Sequence, residues 1–318
     1  MTAGTDDESV DRHDAGTSER RPFWIYAILV AALGAFSVSA ILIRYAVDAP
    51  GTAVAVWRTV FASILLAPFA LVRSRGAWKK FTGRDWALTA VAGIALGFHF
   101  LTWIHSIYFT TISSAAVLVS LSPVFMGLMS WLILRERLPR AEVIAIGVAV
   151  AGTIVLGVAD ARSSDAAVAA ADPLLGNGLA LTAALLVSIY LIIGRVVRRS
   201  LSWLAYVVPL YVMTAVTTLT AAAVLDIPLF GYEPRIYVLC FLMALIPQIV
   251  GHGSLNYLLH WFKAPTLGLA MLVEPIGASI LAFVLFAETP TALAIVAMAI
   301  ILLSVASVIR PPRAQGRR

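Results

Sequence analysis

Ten runs of mostly apolar residues divide this chain, each near the length of about 20 residues that a helix needs to cross a bilayer. They lie at roughly 23–43, 53–72, 85–107, 114–134, 141–159, 174–194, 202–225, 236–259, 265–287 and 291–309, with ends uncertain by about 3 residues. Composition agrees with them. The 318 residues are 61% hydrophobic and 13% charged, with a mean hydropathy of +0.93, whereas a soluble domain carries roughly a quarter of its residues charged. A chain so poor in charge finds its matching surroundings in lipid. The expected fold class is an all-α integral membrane protein of ten transmembrane helices.

The basic residues set the expected orientation, because Lys and Arg collect in cytoplasmic loops. With the N-terminus inside, the cytoplasmic segments take Arg12, Arg20 and Arg21, then Arg73, Arg75, Lys79, Lys80 and Arg84. They also take Arg135, Arg137 and Arg140, Arg195, Arg198 and Arg199, Lys263, and finally Arg310, Arg313, Arg317 and Arg318. That is 19 of the 23 basic residues. Only Arg44, Arg58, Arg162 and Arg235 fall elsewhere. Both tails then come out cytoplasmic, which fits an even number of spans in a bacterial inner membrane. Residues 1–22 are polar and mixed in charge and are expected to form a disordered cytoplasmic tail; they lack the pattern of a signal peptide. Residues 160–173 form an Ala/Asp/Ser-rich external linker, and 311–318 a basic cytoplasmic tail.

Several activities are excluded. No GxxxxGK[ST] phosphate loop can be written with the three lysines present, so the chain holds no ATPase module of that kind. The single cysteine, Cys240, rules out an internal disulfide and reads as a small buried hydrophobe. No cofactor and no nucleic-acid partner are expected. The expected partners are the lipid bilayer and a small-molecule substrate, with the chain a monomer or a homodimer.

The two halves resemble each other. At an offset of 152, "LVSLSPVFMGLMSWLILRE" (118–136) falls on "AMLVEPIGASILAFVLFAE" (270–288), matching Pro123 with Pro275 and Glu136 with Glu288. An offset of 151 pairs Arg44 with Arg195. Five spans per half is an odd number, so the second copy enters the membrane inverted. Inverted repeats of this kind place a transport site near the midplane, where the halves meet. The repeats are 23–159 and 174–310.

These segments resemble the drug/metabolite transporter superfamily, in its ten-span branch of two EamA-type repeats. The resemblance rests on "VWRTVFA" (56–62), "SLSPVF…LILRE" (120–136) and "LVEPIGASILAFVLFAE" (272–288), the last close to that family's glutamate–proline signature. It implies secondary transport, export more often than uptake, of small polar metabolites or drugs. In the first copy Ser122 stands where Glu274 stands in the second.

Ionisable side chains at membrane depth are costly and mark functional candidates. Glu274 lies about ten residues into the ninth span, and burial disfavours the charged form of a lone carboxylate, which suits a proton-coupling group. The alternative is a glutamate that ties helices together. In the eighth span Gln248, His252, Asn256 and His260 recur every four residues and share a helix face; His260 is placed at the edge. In the third span His99, Thr102, Trp103 and Ser106 form another face, with His105 off it. The repeat brings His99 and His252 within a residue of equivalence, so the two approach the pseudo-twofold axis from opposite halves. No carboxylate or cysteine accompanies them at ligand spacing, and no metal is expected. Arg58, about six residues into the second span, either snorkels to the outer interface or turns inward to an anionic substrate group or Glu274. Arg44, beside Asp48, snorkels. The expected substrate-binding residues are His99, Trp103, Arg58, Gln248, His252 and Asn256, with Glu274 coupling protons.

Three functions compete: a proton-coupled exporter with alternating access, a passive facilitator or channel of the same fold, and an intramembrane enzyme. "GHGS" (251–254) sets His252 two residues from Ser254, but residues two apart on a helix do not face each other. No HExxH occurs, so the enzyme is set aside.

Overall fold

The computed structural model describes residues 22–110, 112–163, 172–286 and 291–309, and over them the chain is helical with no strand. Glu288, both tails and most of the 160–173 linker lie outside the described residues. Among the described residues nine helices are long and apolar enough to cross a membrane. They are Phe23–Tyr45, Gly51–Arg73, Gly83–Phe109, Ser114–Leu132, Arg140–Val158, Pro173–Val197, Trp203–Val224, Pro234–Leu258 and Ala264–Leu281, and the shorter Ala292–Val308 completes ten.

Local chemistry starts several of these helices where the sequence changes character. Thr82 and Asp85 close a capping box at the head of the third span, which satisfies two backbone N–H groups that a helix start leaves orphaned. Asp172 caps the sixth span through the N–H of Leu175, with Pro173 in its first turn, where the missing N–H of proline costs nothing. Thr291 caps the tenth through Ala294. Side chains then sort by medium. Val72, Val224 and Leu303 are 84%, 78% and 71% exposed, which is affordable only where lipid covers them, while Arg58, Gln248, Asn256 and Thr218 are buried inside.

Three spans are interrupted and one more changes its helix type. The first is interrupted at Val38, between Phe23–Ser37 and Ser39–Tyr45. The fourth is interrupted at Ser120 and Leu121, and the ninth at Leu272 and Val273, positions 152 residues apart. Each is followed by a proline one residue into the next half, Pro123 and Pro275, so the matched prolines of the repeat mark matched breaks. The eighth span runs without a break but changes to a π-helix at Ala244–His252 around Pro247.

The packing pairs exchange when the halves are swapped. The third span packs on the sixth as the eighth packs on the first; the third on the seventh as the eighth on the second; the fourth on the sixth as the ninth on the first. The second with the seventh, fourth with ninth and fifth with tenth pair across the axis. This is the inverted two-repeat architecture read from the sequence. Gly93 and Gly97 form a close seam: a Cβ on either would come within 2.6 Å and 2.7 Å of Met213 and Thr217. The GxxxG motif is therefore spent on packing the third span against the seventh inside one chain.

The two ends of the bundle are tied separately. At one end Asp48 pairs with Arg235 at 2.6 Å, the Trp57 indole donates to the Leu229 carbonyl at 2.7 Å, and Tyr108 reaches Ala46 and Ala49. At the other, Glu136 pairs with Arg199 at 2.6 Å and Trp78 donates to Ala205 at 3.0 Å. Both ion pairs are solvent-exposed and each is worth about 0–1 kcal/mol. Asp48 takes Arg235 as its partner rather than the neighbouring Arg44, which is exposed.

Candidate functional site

The breaks in the fourth and ninth spans meet around a cavity of about 30 Å³ lined by Trp103, Ala116, Val119, Ser120, Ser122, Met271, Leu272, Glu274 and Pro275. Roughly one water fits such a volume. Ser122 and Glu274, equivalent in the repeat, open the second half of their spans and both face this cavity. Each has its backbone carbonyl held by a serine of a neighbouring span. Ser188 of the sixth span donates to the Ser122 carbonyl at 3.0 Å, and Ser37 of the first donates to the Glu274 carbonyl at 3.3 Å. Both serines also donate to their own helix four residues back, to Ala184 and Leu33. Ser37 and Ser188 are 151 residues apart, the offset that relates Arg44 to Arg195. The approach is close: a Cβ on Gly277 would lie 2.6 Å from the Ser37 Cβ, so only glycine lets the first span reach the ninth.

A second cluster sits one residue away along the first span. Phe36, next to Ser37, meets the His252 ring edge-on at 4.9 Å between centroids. His252 also packs on Phe100 at 5.2 Å and on His99 at 5.9 Å. The two histidines thus meet between the halves, as the repeat predicts. Their hydrogen bonds differ. His99 donates its Nδ1–H to the Ala183 carbonyl at 2.9 Å, which leaves its Nε2 as an acceptor. His252 Nδ1 faces the Tyr190 hydroxyl at 3.0 Å, and Tyr190 also accepts an N–H from Asn256 at 3.5 Å.

Arg58 points inward, with 1% of its surface exposed. Its Nε–H donates to Gln248 Oε1 at 3.2 Å, and its guanidinium carbon lies 4.0 Å from the centre of the Phe100 ring, within cation–π range. The snorkelling alternative is overturned. The structure forms no ion pair between Arg58 and Glu274 among the described residues.

Of the expected site residues, Arg58, Gln248, His99, His252 and Asn256 gather in the second cluster, and Trp103 and Glu274 line the cavity. Gln248, His252 and Asn256 are 0%, 3% and 0% exposed. His260 is exposed, against Trp261. Thr102 folds back on its own helix, donating to Phe98 and His99, and His105 binds Leu101 and Thr52 near one end. Phe36, Phe100, Ser37, Ser188 and Tyr190 are parts of the site that polar patterning passed over. The 151 offset, applied beyond the arginines, pairs Ser37 with Ser188.

No curated protein matches the chain. A solved crystal structure is similar over 90% of this chain and 96% of its own length, with a TM-score of 0.74 at 18% identity; at that identity the likeness is one of fold. The family model for the EamA-like transporter family matches twice, over residues 22–158 and 174–310. Two matches, one per five-span half, cover most of the chain, and the protein belongs to the EamA-like transporter family, a family of membrane transporters.

Proposed function

We propose that this protein is a proton-coupled secondary transporter that exports a small polar metabolite or drug across a bacterial inner membrane by alternating access. The observation that carries the reading is Glu274: a carboxylate without an ion-pair partner among the described residues, at a helix break, lining a cavity where two inverted halves meet. A group in that position can take a proton from one side and release it to the other as the halves rock. Arg58, Gln248, His99, His252, Asn256 and Trp103 hold the solute beside it. Export rather than uptake rests on the family resemblance, and cytoplasmic tails on the bias of Lys and Arg.

The test uses vesicles that contain the purified protein and a trapped pH-sensitive dye, challenged in turn with amino acids, nucleosides and cationic dyes. A coupled transporter shifts the internal pH with at least one compound and leaves protein-free vesicles unchanged. A passive facilitator lets a compound enter with no pH change, and that outcome would overturn the coupling.

A further inference from the structure

At the end of the bundle where Trp78 meets Ala205, an apolar groove of about 230 Å³ opens between the second, third and seventh spans. Leu71, Trp78, Trp86, Pro209 and Val212 line it, and among the described residues every lining side chain is hydrocarbon apart from the two indole N–H groups. The seventh span builds one wall through its proline. Pro209 lies inside that helix and has no N–H to donate four residues back. The Ala205 carbonyl is thereby released, and the Trp78 indole donates to it at 3.0 Å. That bond clips the short helix Arg75–Trp78 to the seventh span. Trp86 packs on Phe81, with ring centroids 4.9 Å apart. The groove thus touches both halves of the molecule, and Leu71, Trp86 and Val212 are 47%, 44% and 45% exposed. Between Leu71 and Trp86 the chain carries Arg73, Arg75, Lys79, Lys80 and Arg84 against one acid, Asp85. All five cations are exposed, and none forms an ion pair among the described residues. Asp85 accepts from the Thr82 N–H and hydroxyl instead.

We propose that this groove holds one acyl chain of an anionic phospholipid, whose phosphate headgroup meets the cations that flank Trp78. The inference goes beyond the transport reading and does not depend on it. A trough walled by hydrocarbon and indole rings suits a methylene chain, and each methylene buried there adds to the affinity. Clusters of Lys and Arg at the membrane end of a span attract anionic headgroups. Such clusters follow the general charge bias of membrane proteins; what sets this loop apart is the seat for a chain beside it. A soluble anion would meet the cations and leave the groove empty. A neutral lipid would fill the groove and leave the cations unmet. Trp rings favour headgroup depth, which places Trp78 and Trp86 at the junction between the two parts of the lipid.

Native mass spectrometry of the delipidated full-length protein in detergent tests this, with dioleoyl phosphatidylglycerol and dioleoyl phosphatidylcholine as probes. The first phosphatidylglycerol bound should have a Kd at least about tenfold lower than the first phosphatidylcholine. Lys79→Gln combined with Lys80→Gln should remove most of that preference, since both side chains are exposed beside Trp78. Val212→Trp fills the groove from an exposed position and should weaken both lipids, phosphatidylglycerol by about tenfold. If Val212→Trp fails to fold, Leu71→Trp decides by the same criterion. Equal affinity for the two lipids, a preference unchanged in the double lysine variant, or phosphatidylglycerol binding unchanged in the filled groove would each overturn the proposal. So would displacement of the lipid by an equal concentration of glycerol 3-phosphate, which would mark an anion site that uses no chain. The measurement needs neither solute nor gradient, so its failure leaves the transport reading untouched.

Discussion

Glu274→Gln abolishes solute movement driven by an imposed pH difference, down to the level of protein-free vesicles, while counterflow exchange continues. Glutamine keeps the shape of the side chain and the backbone carbonyl that Ser37 holds at 3.3 Å. The cavity with Ser122 and Trp103 therefore survives. What disappears is the ability to gain and lose a proton. Exchange of labelled for unlabelled solute needs the halves to rock but no net proton movement, so it separates coupling from folding. Ser122 occupies the equivalent place in the other half, and among the described residues no second carboxylate lines this cavity to rescue the variant. Unchanged gradient-driven transport would show that Glu274 is a structural residue.

His252→Ala and His99→Ala each weaken solute binding, and His252→Ala does so more strongly. The difference follows from their surroundings. The His252 ring touches Phe36, Phe100, His99 and Tyr190, and its loss also leaves the buried Tyr190 hydroxyl with Asn256 alone as its side-chain partner. His99 bonds one backbone carbonyl. Removing a buried ring with this many neighbours costs about 2–5 kcal/mol of stability, and a binding loss of about tenfold corresponds to 1.4 kcal/mol. Equilibrium binding of a radiolabelled solute and thermal unfolding of the same samples separate the two effects. Normal affinity in both variants would return the histidines to a packing role.

Much of the fold is legible in the residues because the bilayer imposes a blunt rule. Long apolar runs become helices, and the proline of each half marks where the fourth and ninth spans break. The meeting of His99 and His252 is legible too, since the repeat alone predicts it. Other features depend on contacts that no local pattern announces. The break at Val38 has no proline or glycine at it, and it forms where the first span wraps the ninth at Gly277. Arg58 lies at a depth from which it could turn either way, and only the placement of Gln248 and Phe100 decides the direction. Tyr190 sits in an apolar run like any core residue until His252 and Asn256 meet its hydroxyl. Thr102 shares a helical face with His99 but satisfies itself on its own backbone, which spacing does not reveal. The serine pair Ser37 and Ser188 was within reach of the repeat, but small hydroxyl residues are common in spans and carry little signal singly.

Distances across the two ends of the bundle test alternating access most directly. In a Cys240→Ala background, spin labels at positions 48 and 235 report one end, and labels at positions 136 and 199 the other. Both pairs are salt-bridged at 2.6 Å in this structure, so both ends start close. Lowering the pH or adding a bound solute should lengthen one distance while the other stays short, and the opposite shift in pH should lengthen the other instead. Two distances that never change, or that lengthen together as in an open pore, would contradict the account.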